Sequence, residues 1–477
     1  MIVAALHLGL PLAAAAAVFS AFLIIERRGR GELSVLMVLA VVVLDVSLYG
    51  DTLATGTHSI FHLAFFGQNF RLSQVAIVTA LMARIVTRGF SGPRIPTGLL
   101  WLAFFAWVAV CAAAGISAGH PTNYVLRQAM IIVQVGGGLA LAATSDTAQL
   151  LLAPELRRFI QACGVLAALL FAIDLTGRRV NSSAIPLLPF VHFGVLGADA
   201  ATVFGAIGTL GVALLVVQPA GVPGRFSLLL PSLALLLSHL GSPQRAARLG
   251  LYVGLAVLAA FLVTRRGRSR THYRPTEAGL VILSVGSLLM FVALASSIFS
   301  LTHPSTHPLL HSVDNKSGLG FNTRSGSIQS RFNQWEVARQ QILSHPIAGV
   351  GLGGLLVHFD EGTQSNVVSD ISHNIALDLL RRTGVVGLCL GAAALMAALS
   401  AGLAVWRRHP SDTVAVWSLA CLAVIVGIVT KGMVESVFEK YRLATVLGLM
   451  LGMMLSAAAR LPAPVHADDG VTAGAGV

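Results

Sequence analysis

A chain of 477 residues that is 55% hydrophobic and only 11% charged, with a mean hydropathy of +0.80, is neither a water-soluble globular domain nor a disordered polymer. Apolar runs near the length of a bilayer crossing recur along it, as in a polytopic helical membrane protein. The formal net charge of +12 would suit nucleic acid in a soluble protein. Here the arginines sit mostly in short connections between apolar runs, where they orient helices and meet anionic lipid, so nucleic acid is not an expected partner.

In chain order, apolar runs predict spans near 2–25, 33–53, 70–87, 97–118, 123–143, 157–175, 196–217, 226–240, 247–264, 277–300, 383–406, 412–430 and 441–459. The expected fold is therefore an all-α polytopic membrane protein with about 12–13 transmembrane helices and one large loop containing short helices. It divides into a transmembrane bundle (1–300, about ten spans), the loop (301–382), C-terminal helices (383–459) and a disordered tail (460–477) rich in Ala, Gly, Pro and Asp. The N-terminus lacks a basic region before its apolar run and carries Arg27, Arg28 and Arg30 after it, which predicts a retained helix. Cys111, Cys163, Cys389 and Cys421 all fall in apolar runs with no CxxC pair, so neither a disulfide framework nor a zinc site is expected.

Arginine in alternate connections sets the orientation. Arg27, Arg28 and Arg30, then Arg84, Arg88 and Arg94, Arg157 and Arg158, Arg225, the group from Arg265 to Arg274, Arg407 and Arg408, and Arg460 mark the cytoplasmic side. The 301–372 loop, the 176–195 and 241–246 connections and the 431–440 link then face outward. Outward arginines oppose this rule and need a local reason. They are Arg71, Arg178, Arg179, Arg245, Arg248, Arg331 and Arg339, and a group of guanidinium forks at the outer leaflet is suited to phosphate. Arg178 and Arg179 fit lipid headgroups equally well. Arg245, between two apolar runs, lies near membrane depth, where an arginine is costly and usually functional.

Within the loop, Ile328, Phe332, Trp335, Ala338 and Ile342 recur at helical spacing and predict a helix over 328–343. Arg331 and Arg339 project into the same arc. Either the helix lies on the membrane with both arginines at lipid phosphates, or it caps a cavity and points them at an anionic ligand; Trp335, four residues after Arg331, favours the cavity. Gly349-Val350-Gly351-Leu352-Gly353-Gly354 formally satisfies GxGxxG, but no βαβ unit surrounds it and no nucleotide site is expected. Further on, Ser372 reads as an N-cap, placing His373 in a first helical turn. The dipole there favours neutral imidazole, able to accept a proton, and the glycines at 384 and 387 allow close packing below it. A histidine that only hydrogen-bonds at a loop is the plainer alternative.

Three features carry less. His303, His307 and His311 are evenly spaced, but Pro304 and Pro308 preclude a helical metal face. Asp45 and Asp51 suit either a transporter's ion path or an outer helix end in water. Lys431, Glu435 and Glu439 offer outer charges that pair with the arginines or contact sugar.

Taken together, Arg331 with Trp335, the Pro346-Ile347-Ala348-Gly349-Val350-Gly351 turn, His373-Asn374 followed by Gly384-Val385-Val386-Gly387, and Ser242-Pro243-Gln244-Arg245 resemble the O-antigen ligase and polysaccharide polymerase family. The resemblance covers roughly 230–455. Two positions depart from it: Arg382 stands where members commonly carry an acid, and Pro243-Gln244 separate the Ser-Arg pair. The resemblance implies a GT-C-type glycosyltransferase of the bacterial inner membrane with a periplasmic site and no cofactor or metal. Its donor would be a glycan on undecaprenyl diphosphate, and its acceptor the lipid A core (ligase) or a growing glycan (polymerase); the spacing after His-Asn leans to the ligase. In that reading His373 is the catalytic base or orienting group. Arg331, Arg245, Arg339 and Arg178 bind the diphosphate, and Trp335, Asn374, Gly384 and Gly387 support the site. A lipid-linked sugar transporter or flippase is the competing class, disfavoured because no internal repeat is evident.

Overall fold

The computed structural model describes residues 2–49, 63–65, 68–70, 72–89, 97–175, 198–217, 224–240, 245–264, 326–360, 364–408, 412–435 and 440–460. Among these residues the protein is all-α apart from two short hairpins. Ten helices come first: α1 (Ile2–Arg27), α2 (Gly31–Tyr49), α3 (Leu72–Arg88), α4 (Gly98–Ser117), α5 (Thr122–Ala143), α6 (Thr147–Leu152), α7 (Pro154–Leu175), α8 (Ala198–Val217), α9 (Gly224–Leu240) and α10 (Arg245–Thr264). Then follow α11 (Gly326–Ser344), the antiparallel strands β3 (Leu356–Asp360) and β4 (Ser365–Ser369), α12 (Ile375–Arg408), α13 (Thr413–Gly432) and α14 (Tyr441–Ala459). A smaller hairpin, β1 (Leu63–Phe65) and β2 (Gln68–Phe70), precedes α3.

Six of the described helices, α4, α5, most of α8, α12, α13 and α14, are long and apolar enough to cross a membrane. The expected span at 277–300 and the 460–477 tail lie outside the described residues, Arg460 excepted.

Lipid supplies no hydrophobic drive between helices, so their association rests on close packing at small residues. A Cβ at Gly138 of α5 would press on the backbone of Thr445 and Gly448 in α14, and one at Gly448 would meet Val135. α5 and α14 therefore run parallel in intimate contact. α10 and α13 cross where Gly250 and Gly254 face Gly427 and Ala423. α8, α13 and α14 form the buried centre, and one face of α4 and of α12 is left outward.

Charged groups gather at the two ends of the bundle. At one end Arg84 of α3 pairs with Glu26 of α1 at 2.6 Å and reaches Thr144 and Ser145 after α5, beside which Arg460 meets Asp146. At the other, Arg442 and Ser73 hold Asp45, at 3.1 and 3.0 Å. Asp199 there lies 3.2 Å from Lys440 and 3.7 Å from Lys431. Asp45 is thus a buried, paired carboxylate. The α11–β3–β4 segment docks at this second end. Leu352 N donates to Cys111 O at 3.1 Å, the Leu352 carbonyl lies 2.8 Å from His120 Nδ1, and Gly353 N donates to Gln128 at 2.8 Å.

Candidate functional site

The docked segment meets α12 at a break. Gly384 has φ 64° and ψ −172°, a conformation open essentially only to glycine, inside an otherwise helical run. A break strands backbone groups that the helix would have satisfied. The Pro346–Val350 turn takes them up. Val385 N donates to Pro346 O at 2.9 Å, Val386 N to Ile347 O at 3.4 Å, and Val350 N to Arg381 O at 2.8 Å. Trp107 of α4 donates to Thr383 O at 2.9 Å. A Cβ on Gly384 would overlap the Ile347 carbonyl, and one on Gly387 would press on Thr383 and the Trp107 ring. The glycines of the formal GxGxxG run are consumed in the same way: Gly349 packs on the backbone of Arg381 to Gly384, and Gly351 on that of Gly115. They are close-approach points, not a phosphate cradle.

Above the break, a buried charge network holds the chain from Asp370 to Asn374. Asp378 accepts from Ser372 N at 2.9 Å and lies 3.6 and 3.5 Å from the guanidinium groups of Arg381 and Arg382. Both arginines donate to Asp370 O at 2.7 Å, and Arg381 also donates to Gly354 O at 2.9 Å. The Asp370 carboxylate takes Arg127 and, at 3.0 Å, Gln128 of α5. Burial raises the Asp370 carboxyl, but the Arg127 charge more than reverses this and leaves it below the usual carboxylate range. Arg127, Gln128, Asp370, Asp378 and Arg381 carried no weight in the sequence reading. Arg127 bore a usable signal: it is an arginine at the outward end of a predicted span, the same anomaly that singled out Arg331.

The helix start differs from expectation. Asn374, not Ser372, is the cap: its Oδ1 accepts from Ala376 N and Leu377 N, both at 3.0 Å. Ser372 is fully buried and its Oγ donates to the Asn374 carbonyl at 3.3 Å, not accepting from a helical N–H. His373 therefore stands before the helix, with φ 52°, not in its first turn. Its ring is half-buried, with Nδ1 enclosed and lacking a hydrogen-bond partner among the described residues. Burial, reinforced by the Arg331 charge, pushes the imidazole down to about 4, so it is neutral near pH 7. Neutrality was expected; its cause is desolvation and a neighbouring guanidinium, and not the helix dipole.

One face of α11 closes over this histidine. Trp335 Nε1 donates to Ser372 O at 2.7 Å, its ring edge-on to Phe332 at 5.6 Å. Arg331 donates to Val434 O and Asn374 to Met433 O, both at 2.8 Å. Arg331, Trp335, His373 and Asn374 thus converge on the link after α13, with Gly384 and Gly387 supporting them from below. The other predicted arginines are not in this cluster. Arg339 is exposed and pairs with Glu336 at 2.7 Å, as an i,i+3 partner serves a solvent-facing turn. Arg245 opens α10, its side chain outside the described residues, as is all of Arg178. Glu435 is buried 3.7 Å from Lys431. Arg382, where the resemblance expects an acid, is matched by Asp378 one turn earlier. Among the described residues no group of three or more His, Cys, Asp or Glu is placed to hold a metal ion; His303, His307 and His311 fall outside them.

The lowered imidazole has a measurable consequence for stability. As pH falls from about 6.5 to about 4 the unfolded chain takes up a proton at this position that the folded chain refuses. Stability present above that window is lost through it. In detergent, the melting temperature of His373→Asn should fall less than that of the wild type between pH 7 and roughly pH 4, and equal slopes would show that the ring is not held neutral.

Residues 226–392, from α9 through the first half of α12, match the family described as O-antigen ligase. The matched stretch includes Arg331, Trp335, His373, Asn374, Gly384 and Gly387. No curated protein matches the chain.

Proposed function

From a chain whose residues 226–392 match the family described as O-antigen ligase, we propose a glycosyltransferase that moves a glycan from a polyprenyl diphosphate, undecaprenyl diphosphate in bacteria, to an acceptor hydroxyl. The acceptor is the lipid A core, and the site faces the periplasm from the inner membrane. The observation that carries this is a neutral histidine set beside a guanidinium, on a chain held by Trp335 and Asn374. An imidazole so placed is a proton acceptor in waiting, and the neighbouring fork is suited to the charge that develops on a leaving diphosphate.

In this mechanism the acceptor oxygen forms a bond to the anomeric carbon as its proton passes to His373. The bond from that carbon to the diphosphate breaks, and its electron pair leaves with the phosphate oxygen. Attack from the face opposite the leaving group inverts the anomeric centre. Arg331 spends one of its five N–H donors on the Val434 carbonyl, which fixes the fork while others remain to meet phosphate. Arg245 and Arg178 are assigned to the same diphosphate by their outward position in the sequence. Guanidinium charge then serves where other glycosyltransferases employ a metal.

Deletion of the gene, followed by gel analysis of lipopolysaccharide and of the lipid-linked glycan pool, tests the reading. Long glycans accumulating on the carrier with a bare lipid A core are expected. Single repeats, on carrier or core, would make the enzyme a polymerase using the same donor, and translocation of lipid-linked sugar without transfer would overturn it in favour of a flippase. In the purified enzyme, Arg331→Ala should lower transfer by about 10²–10³-fold, and Arg331→Lys should recover only part of this because a point charge does not replace a fork.

A further inference from the structure

Along α12 the outward positions Val385, Cys389, Ala392, Met396 and Ser400 repeat at helical spacing, the stripe that a membrane-crossing helix turns to lipid. The stripe does not end with the helix. At its top, Val385 N and Val386 N are bonded to the carbonyls of Pro346 and Ile347, which brings the exposed Val385 (46%) and the exposed Ile347 (66%) to the same corner. Leu343, four residues earlier at the end of α11, is 65% exposed. The next outward residues up that helix are Gln340, Arg339 and Glu336. Leu343 and Ile347 thus continue the lipid-facing stripe on either side of the exposed Ser344 and His345, and charge appears one turn above Leu343, the order of side chains met on passing from acyl chains to headgroups.

We propose that the Leu343–Ile347 corner is inserted into the bilayer, with the polar face of α11 rising through the headgroup layer. The occupant of this surface is lipid. The corner is stitched to the α12 break that also supports the 370–374 chain, so its insertion sets the depth at which His373 stands relative to the membrane surface. This inference depends on the exposed stripe and not on any assigned activity.

The test uses the full-length protein in phosphatidylcholine vesicles whose acyl chains carry bromine. A fluorophore on the native Cys389, the one exposed cysteine among the described residues, reports the membrane reference. In a Cys389→Ser background, Ile347→Cys, Leu343→Cys and Glu336→Cys are labelled in turn. Quenching by brominated lipid several-fold above quenching by aqueous iodide is expected at 347, less at 343, and the reverse at 336. A label at 347 that iodide reaches as readily as at 336, and that bromine leaves bright, overturns the proposal in favour of a water-exposed corner. Protection from both quenchers overturns it in favour of a protein contact, and an unquenched label at Cys389 removes its premise.

Discussion

Replacing His373 with alanine should reduce glycan transfer by about 10²–10⁴-fold, the usual contribution of a general base, with the amount of folded protein and the melting temperature near neutral pH little changed. The expectation of a small structural effect comes from the same geometry as the large catalytic one. Trp335 and Asn374 hold this stretch through the Ser372 carbonyl and the Asn374 side chain, and Asp378 holds it through the Ser372 N–H, so none of these bonds uses the imidazole. Removing the ring also removes a buried nitrogen with no partner, which costs nothing in lost hydrogen bonds. Position 373 has positive φ, and glycine is the substitution that relieves it. His373→Gly should therefore be at least as stable as His373→Ala and equally inactive. Retained transfer in both variants would remove His373 from the chemistry. For the wild-type enzyme the rate should hold steady from neutral pH down to about pH 5 and fall as the imidazole takes its proton near 4.

The second large effect belongs to a residue far from any reacting atom. Gly384→Ala should leave little folded protein in the membrane. The backbone conformation alone costs a non-glycine residue about 1–3 kcal/mol, and the added methyl falls on the Ile347 carbonyl, part of a backbone that cannot retreat without releasing the bonds to Val385 and Val386. Val385→Ala, at the neighbouring exposed position, is the matched control and should be tolerated. Comparable protein levels and thermal stability for the two would mean that the break is not needed. A Gly384→Ala protein that folds and transfers normally would further detach the Pro346–Val350 turn from the support of the site.

Much of this architecture was legible in advance, for reasons that apply unevenly along the chain. Helices that cross lipid must satisfy every backbone group internally and carry apolar side chains over their length, so length and hydropathy suffice to read α4, α5 and α12 to α14 from composition. The α11 helix was legible from the recurrence of apolar residues at steps of three and four, and Arg331 stood out because a charge within an apolar arc is rare. The cap was not: Ser372 and Asn374 are both good N-cap residues, and what separates them is that the Ser372 hydroxyl turns to the Asn374 carbonyl while the Asn374 Oδ1 meets the first helical N–H groups. Arg331 and Arg339 look alike on a helical projection as well. They part because the Val434 carbonyl faces one of them, while Glu336 on their own helix holds the other.

By itself, then, the sequence determined the class of protein and the run of the membrane helices α4, α5 and α12 to α14, and it singled out His373 and the 328–343 helix as candidates, because hydropathy and periodicity act through near neighbours. Only the tertiary structure decided that α12 breaks at Gly384 to receive a turn from the loop. It also decided that the buried Asp370, Asp378 and Arg381 with the half-buried Arg127 hold the histidine's chain, and that burial with a guanidinium, not a helix dipole, keeps the ring neutral. Each of those depends on groups brought together from distant parts of the chain, and a long-range bond leaves no period in the sequence.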